Sequence, residues 1–432
     1  MSAIVALGGL LVAGCATGPL RYQFFESSGP MTAAPRTAER AVRFAQAVDV
    51  TTLESDVRHL ASPRLEGRLR GSQGNALARA YVIGRLQGAG LAPLFAASFE
   101  QRAYPEGDGA HAVNVGAIYR ASDDAAHWVV LVAHYDHLGM IRGNVHPGAD
   151  DNASAVALLL ALGDALGRAR PALRRHVVLL FPDAEEPPDI RTERMGSTWF
   201  WRHPPFSADT LDFALVLDLV GGRATLELRA AGLGDALFVL GTEADASLRA
   251  LVAELEPVGG VAPLGLSLAT IEAMPYRPGT RFSRSDYHGL REELRRPFLF
   301  LTTGRTETYH TPQDTPDSVD YERLGRVTRW VAQLAVHGAE TDRELGWRDW
   351  RADARSDARV LLRLSEALDR HDGLPWLLRR ALAADRQEIA RLLASWEQGA
   401  VPTPTEYRRL LLASIRVQAA LWHPSGWWFA LW

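Results

Sequence analysis

The chain has 432 residues, 47% of them hydrophobic and 23% charged, with a formal net charge of −4. This is the composition of a globular protein with enough length for a large core, so it excludes an intrinsically disordered chain. The small net charge argues against nucleic acid as a partner. Lysine does not occur in the sequence, which excludes Schiff-base chemistry and a lysine base.

The N-terminal residues have the pattern of a bacterial lipoprotein signal. An apolar stretch ends in Val12-Ala13-Gly14-Cys15, and Cys15 is the single cysteine of the chain. We therefore expect residues 1–15 to direct export, with a lipid on Cys15 anchoring the protein to the cell envelope, facing the periplasm or the exterior. Because no basic residue precedes the apolar stretch, a plain secretory signal and an unprocessed apolar arm remain alternatives.

Residues 16–40 contain Pro and Ser with weak periodicity and are predicted to form a tether. Residues 41–340 then alternate strand-like and helical segments, with apolar spacing that predicts helices over residues 153–166 and 322–337. No segment reaches eighteen consecutive apolar residues, so a membrane-spanning helix is not expected. We predict an α/β fold, a three-layer sandwich with a mostly parallel central sheet.

Residues 341–432 change in character, because they form Arg-, Ala- and Leu-rich segments and end in HPSGWWFALW. This pattern predicts a C-terminal helical appendage with a Trp-rich tail. The tryptophans are interpreted as filling a hydrophobic seam between the appendage and the sheet. Contact with a membrane interface, or a lid over the site, is the alternative.

Three apolar runs end at polar residues: WVVLVAH at His134, VVLLFPDAEE at Glu186 and FALVLDL at Asp218. Buried parallel strands present site residues in this way, at the carboxyl edge of an α/β sheet. Asp151 in GADDNAS and His310 in YHTPQDT complete a set of imidazoles and carboxylates. Zinc binds such donors, and a two-metal hydrolase needs roughly five protein ligands. The sequence thus predicts a site for two zinc ions.

Residues next to these ligands suggest further roles. Asp136 lies two positions after His134, so its carboxylate can hydrogen-bond the far imidazole nitrogen and fix the tautomer. Glu185 and Glu186 are adjacent, so their side chains diverge. Glu185 is predicted to be the general base, which takes a proton from the attacking water and passes it to the leaving amine. Simpler interpretations are helix capping for Asp151 and a solvated acidic loop for the glutamate pair.

The order of the motifs is informative. It runs AHYD, GADDNAS, Glu185-Glu186 followed by Gly196-Ser197, then Asp218, Ser285-Asp286 and YHTPQDT. This set resembles the co-catalytic di-zinc aminopeptidase family, which includes bacterial leucyl aminopeptidase, aminopeptidase Y and glutamate carboxypeptidase relatives. The resemblance covers about residues 50–340.

The resemblance implies one metal held by His134 and Asp218, a second held by Glu186 and His310, and Asp151 bridging the two. It also makes Tyr309 a candidate for stabilising the oxyanion, with a packed aromatic beside the ligand as the alternative.

Three departures from the family pattern flank the expected substrate pocket. Ala184 stands where Gly is usual, residues 187–195 are inserted, and Tyr287 replaces a more common His. These departures bear on specificity more than on the metal site.

The expected function is therefore that of an exported zinc-dependent aminopeptidase acting on peptides, with two zinc ions per chain. One alternative is a glutaminyl cyclase-like acyltransferase on the same fold, which typically uses a single zinc. Another is a non-catalytic binding relative. Carboxypeptidase and dipeptidase activities also stay open, because these motifs do not reveal the residues that recognise a free amine or carboxylate. The sequence indicates neither the preferred residue nor the oligomeric state.

Overall fold

The computed structural model describes residues 23–24, 39–104, 111–122, 125–190, 192–273, 283–371 and 373–422. The lipoprotein signal with Cys15, almost all of the tether and the Trp-rich tail after Trp422 lie outside the described residues. Those three expectations therefore stay predictions.

The strands and helices of the described residues alternate along the chain. The strands are β1 (Gln23–Phe24), β2 (Ala92–Pro93), β3 (Glu100–Ala103), β4 (Ala112–Tyr119), β5 (Trp128–Val132), β6 (Gly139–Ile141), β7 (Asn144–His146), β8 (His176–Phe181), β9 (Leu211–Leu217), β10 (Ala236–Leu240), β11 (Ala262–Leu266), β12 (Phe298–Thr302) and β13 (Arg351–Ala352). The α-helices are α1 (Glu39–Ala47), α2 (Leu53–Leu60), α3 (Gln73–Gly88), α4 (Ala155–Ala169), α5 (Gly196–Arg202), α6 (Leu226–Ala230), α7 (Ala246–Ala253), α8 (Leu268–Glu272), α9 (Tyr321–Glu340), α10 (Ala354–Leu368), α11 (Trp376–Glu397) and α12 (Pro404–Trp422).

A nine-stranded sheet forms the centre of the molecule, in the order β11-β10-β12-β9-β5-β8-β4-β2, with β3 beside β4. The middle of the sheet is parallel, because β5 pairs in parallel with both β8 and β9, and β9 pairs in parallel with β12. Antiparallel pairs join β4 to β8 and β10 to β12. The predicted fold class, a three-layer α/β sandwich with a mostly parallel sheet, is confirmed.

Alternate side chains of the central strands face opposite helical layers. Val129 and Leu131 of β5 belong to a core shared with α1, α2, α3, α4 and α9. Val130 and Val132 of the same strand belong to a second core shared with α5, α8 and the C-terminal helices. This is the two-residue period of a strand that is buried on both faces, and it explains why the runs read as continuously apolar in the sequence.

The helical appendage of the prediction is present as α10, α11 and α12, which pack on one another. Helix α10 also lies against β11 and α6, and α12 lies against α8. The appendage therefore belongs to the second helical layer and extends the core on that side of the sheet. None of the helices in the described part of the chain is long and apolar enough to cross a membrane.

The start of one predicted helix differs from expectation. Residues 153–166 were predicted as helical from the GADD motif onward, but α4 begins at Ala155. The preceding residues Ala149–Ser154 form a wider turn, in which Asp151 has φ −106° and ψ 92°. This turn places the Asp151 carboxylate at the sheet edge, where a regular first helical turn would not hold it.

Candidate metal centre and active site

The predicted site residues follow strands whose carboxyl ends meet at one edge of the sheet. His134 lies two positions beyond β5, and Asp218 comes directly after β9. Glu185 and Glu186 follow β8, and His310 lies between β12 and α9. Because β5, β8, β9 and β12 run in the same direction, these side chains converge, as is typical of sites in parallel α/β sheets.

The carboxylate of Asp151 lies between two histidines. Its Oδ1 is 3.5 Å from Nε2 of His134, and its Oδ2 is 3.1 Å from Nε2 of His310. One carboxylate thus presents a different oxygen to each imidazole. This arrangement is suited to bridging two metal ions, which lie about 3.5–4 Å apart in two-metal hydrolases.

Each half of the centre contains a further carboxylate. On one side, Oδ1 of Asp218 is 3.8 Å from Nε2 of His134. His134, Asp151 and Asp218 together offer ligand atoms within 4.8 Å of one another. On the other side, Oε2 of Glu186 is 3.2 Å from Nε2 of His310. The structure therefore brings all five predicted ligands into one cluster.

The chemistry of this cluster fits a divalent cation. It contains six buried carboxylates, those of Asp136, Asp151, Glu185, Glu186, Asp218 and Asp286. The Nε2 atoms of His134 and His310 and the Oδ1 atom of Asp218 are buried without a hydrogen-bond partner. Burying several carboxylates together with unpaired polar atoms is costly unless a cation binds to their lone pairs. Imidazole nitrogens together with carboxylate oxygens are ligands that zinc prefers.

A buried arginine next to the cluster, Arg68, contacts backbone carbonyl groups. The guanidinium of Arg68 donates to the carbonyl oxygens of Leu60, Tyr135, Pro147 and Gly148, at 2.6 to 2.9 Å. These bonds fix the two loops that carry His134 and Asp151.

Asp136 holds the loop that carries the glutamate pair. Its two carboxylate oxygens accept the backbone N–H groups of Glu185 at 3.1 Å and Glu186 at 3.2 Å. The same carboxylate is 3.5 Å from Nδ1 of His134. Asp136 thus lies where a carboxylate would orient the imidazole of His134, and it also positions both glutamates.

Glu185 is buried beside the metal cluster. Its Oε2 atom lies 3.9 Å from Nε2 of His134, and its Oε1 atom has no hydrogen-bond partner. Burial raises the pKa of Glu185 well above its usual value, and the Glu186 and Asp218 carboxylates raise it further against the opposite effect of His134. Burial alone would also raise the pKa of Glu186, but His310 and His137 outweigh it and hold that pKa well below its usual value. The two neighbouring glutamates therefore have different environments.

Tyr309 lies beside the last histidine. Its ring stacks on His310 at a centroid distance of 3.8 Å, and the guanidinium of Arg305 is 4.5 Å from the centre of the Tyr309 ring. The tyrosine lines a cavity together with Asp218. It packs against His310, a predicted ligand, and lies close to the expected reaction centre, so each interpretation from the sequence stays a prediction.

Two residues of the site were not assigned from the sequence. His137 is buried, with Nδ1 at 2.8 Å from Oε1 of Glu186, and it forms a potential metal-binding group with Asp151 and Glu186. Asp314 accepts the backbone N–H groups of Asp150 at 2.9 Å and Asp151 at 3.1 Å. The second histidine of AHYDHLG and the aspartate of YHTPQDT were the signals that could have identified them.

The departures from the family pattern have structural consequences. Ala184 has a φ of 60°, which glycine adopts more readily than alanine, so the usual glycine is explained by backbone conformation. Tyr287 is fully buried, and its hydroxyl accepts from the backbone of Arg284 at 2.8 Å and donates to Glu272 at 3.2 Å. This tyrosine therefore belongs to the second helical layer. In the insertion, Asp189 pairs with Arg70 at 2.8 Å.

Comparison with known proteins gives the family. The sequence model of Peptidase family M28 matches residues 114–335, which is just over half of the chain. The chain belongs to peptidase family M28. The matched M28 region contains all five predicted metal ligands, whereas α10, α11 and α12 lie beyond it.

Similar proteins agree with membership of M28. The chain is 27% identical to "Uncharacterized protein YfbL" of Escherichia coli (strain K12) over 239 residues, which are 51% of this chain and 69% of that protein. The LapA aminopeptidase of Legionella pneumophila superposes with a TM-score of 0.53 at 15% identity, covering 73% of this chain and 78% of LapA. Porphyromonas gingivalis glutaminyl cyclase superposes with a TM-score of 0.50 at 18% identity, covering 66% and 97%. At these identities the structural similarities establish the shared fold.

The resemblance read from the sequence motifs is confirmed by these comparisons. The M28 membership supports a zinc-dependent, metallopeptidase-type hydrolase.

Proposed function

We propose that the protein is an exported aminopeptidase that uses two zinc ions per chain to remove N-terminal residues from peptides. The observation that carries this proposal is the position of Asp151, whose two oxygens lie 3.5 and 3.1 Å from different histidines. A centre for one metal would not need a carboxylate placed between two sets of ligands. In the proposed centre, His134 and Asp218 hold one ion, Glu186 and His310 hold the other, and Asp151 bridges them.

The zinc ions, when bound, supply Lewis-acid activation of water and of the peptide carbonyl. Glu185 is the proposed general base. Its Oε2 atom lies 3.9 Å from Nε2 of His134, its Oε1 atom is buried without a hydrogen-bond partner, and Asp136 accepts its backbone N–H. There it takes a proton from the attacking water and delivers it to the leaving amine. A general base must first of all lie close to the proton that it takes.

Tyr309 is proposed to stabilise the oxyanion that forms when water attacks the carbonyl. Its ring stacks on His310 and also contacts the guanidinium of Arg305, so the position of the phenol is restricted. A fixed donor of this kind can stabilise developing charge without reorganisation during the reaction. Tyr309→Phe is expected to lower turnover and to leave metal binding unchanged.

The location of the protein is part of the same proposal. Cys15 at the end of an apolar stretch supports export, with a lipid anchor in the cell envelope. Cys15→Ser should release the protein from the membrane fraction. Recovery of both forms in the same fraction would argue for one of the other signal types.

The activity is tested on the protein without residues 1–15, purified in a zinc-containing buffer. It is assayed with aminoacyl-nitroanilides, with the matching N-acetylated substrates, and with each in the presence of a chelator. The proposal expects release from the free-amine substrates, loss of release with chelator, and no release from the acetylated ones.

Equal release from blocked and free substrates would contradict an aminopeptidase, as would release of C-terminal residues instead. Peptides with an N-terminal glutamine are used to test the cyclase alternative. Cyclisation without hydrolysis would replace the proposal with the acyltransferase, and neither reaction in a zinc-loaded protein would favour the binding relative.

A further inference from the structure

A cavity of about 150 Å³ lies directly beside the metal centre. Its lining includes Asp218, a proposed metal ligand, and Tyr309, whose ring stacks on His310. Further lining residues come from the outer strands of the sheet and from the second helical layer. Its sheet wall is apolar and includes Leu240 of β10 and Phe300 of β12. The cavity therefore joins a polar reaction centre to an apolar interior.

The opposite wall of the cavity comes from the C-terminal appendage. Helix α10 contributes Leu361 and Leu364, and helix α12 contributes Val417 and Leu421. These helices lie beyond residues 114–335, the part of the chain that matches the M28 family. The closure of this cavity is thus a feature of this chain's own C-terminal region.

The appendage wall is fixed to the rest of the protein by buried hydrogen bonds. The carboxylate of Asp357 accepts from the backbone N–H of Ser267 at 2.7 Å and from the hydroxyl of Tyr407 at 2.8 Å. Ser414 and Gln418 of α12 both donate to the carbonyl of Thr270, at 2.9 and 2.8 Å. Thr270 itself lines the cavity. The pocket is therefore largely formed before any ligand enters.

The size and lining of the cavity indicate what it can hold. An apolar cavity of about 150 Å³ stays dry and binds a benzene ring. The lining also includes four arginines, namely Arg223, Arg284, Arg305 and Arg323. A phenyl group or a branched aliphatic group fits this space, whereas a cationic group would lose its hydration and be repelled by these guanidinium groups.

We propose that the C-terminal appendage completes a pocket for a large apolar or aromatic side chain of the substrate residue next to the cleaved bond. This inference rests on the proposed peptidase function, because it assigns the specificity of the same site. Because Asp218 and Tyr309 line the cavity, a side chain bound there lies close to the proposed metal centre, where the carbonyl reacts. Residues such as leucine and phenylalanine are then preferred over alanine and lysine.

The pocket is tested without relying on catalysis, using straight-chain alcohols from butanol to octanol as probes. Their affinities for the zinc-loaded protein are measured by nuclear magnetic resonance titration. Each methylene buried in an apolar site should increase affinity about fourfold until the cavity is full. Val417→Phe fills the cavity from the appendage side and should reduce this increment to below about twofold.

A matched control and a second variant keep the test decisive. Leu412→Phe enlarges a partly exposed side chain of the same helix that does not line the cavity, and it should keep the wild-type increment. If Val417→Phe fails to fold, Leu421→Trp at the partly exposed end of the wall provides the same occlusion. The proposal would be overturned if the affinity of the wild type did not rise with the length of the alcohol. It would also be overturned if folded variants with a filled cavity kept the full gain in affinity per methylene.

Hydrolysis of the aminoacyl-nitroanilide panel separates this inference from the proposed function. We expect Val417→Phe to lower kcat/KM for the leucyl and phenylalanyl substrates at least tenfold relative to alanyl, a change of about 1.4 kcal/mol. If no substrate is hydrolysed but the alcohol series behaves as expected, the peptidase proposal fails and the apolar pocket stands. If hydrolysis occurs with equal preference in wild type and variant, the pocket assignment fails and the peptidase proposal stands.

Discussion

The metal centre and the C-terminal appendage are held in place by different kinds of interaction. At the carboxyl edge of the sheet, six buried carboxylates and three histidines share a small space. The loops that carry them are fixed by backbone N–H groups that donate to Asp136 and Asp314 and by hydrogen bonds that Arg68 donates. In the appendage, helices α10, α11 and α12 bury apolar faces against each other and the sheet. The first region depends on particular polar side chains at particular positions. The second depends mainly on apolar packing, with a few buried hydrogen bonds such as that between Tyr407 and Asp357.

This difference determines how each region responds to substitution. At the metal centre, a substitution that replaces a single functional atom should remove a chemical function while the fold remains. In the appendage, a substitution of the same size should change the stability or the shape of the pocket by a small amount.

The largest effect is expected at Glu185. Replacing it by Gln keeps the size of the side chain but removes the carboxylate that accepts the proton. Turnover should fall by about 100- to 10,000-fold, the usual contribution of general acid–base catalysis. Zinc content, measured by plasma mass spectrometry, should match the wild type. Near-normal turnover would show that another group is the base, and loss of zinc would assign Glu185 to the ligands.

The next effect concerns the two halves of the centre. His134→Ala and His310→Ala remove imidazoles from opposite sides of Asp151, so each should lose one of the two zinc ions and nearly all activity. Metal content per chain distinguishes these outcomes. A centre that loses both ions with either variant would mean that the two halves bind cooperatively. A wild-type metal content in either variant would contradict the ligand assignment.

His137 provides a finer test of the same region. It hydrogen-bonds Glu186 at 2.8 Å, so we expect it to orient that ligand. Loss of such a positioning partner typically lowers metal affinity about 10- to 100-fold. His137→Ala should therefore keep its zinc in saturating metal but release it to a weaker chelator than the wild type does. A loss of one zinc even in saturating metal would make His137 a direct ligand instead.

The smallest effect is expected in the appendage. Tyr407→Phe removes only the hydroxyl that donates to Asp357, which leaves one oxygen of a buried carboxylate unsatisfied. This should cost about 1–3 kcal/mol of unfolding free energy, measured by urea denaturation. Zinc content should not change. A stability equal to the wild type would indicate that the appendage does not depend on this buried bond.

The sequence was sufficient for the residues whose chemistry is fixed. His134, Glu186 and Asp218 were located because each follows an apolar run that is typical of a buried strand, and parallel strands bring their ends together. Asp151 and His310 were located as further donors suited to zinc, and the resemblance of their motifs gave them specific roles. The role of His137, the second histidine of AHYDHLG, was missed because its position three residues after His134 does not indicate which ligand it contacts.

The docking of the appendage could not be predicted for a physical reason. Apolar periodicity shows which face of a helix is buried, but not which surface covers it. The bond between Asp357 and the backbone of Ser267 joins residues 90 positions apart, and no local pattern encodes it. The cavity arises from this long-range contact, so the pocket became visible only in the folded structure.

The central claim is that two zinc ions share Asp151 at this sheet edge. It is tested most directly by anomalous scattering at the zinc absorption edge from crystals of the zinc-loaded protein. The account predicts two peaks about 3.5–4 Å apart, on either side of the Asp151 carboxylate. One peak should lie beside His134 and Asp218, and the other beside Glu186 and His310. A single peak, or peaks that do not touch Asp151, would contradict it.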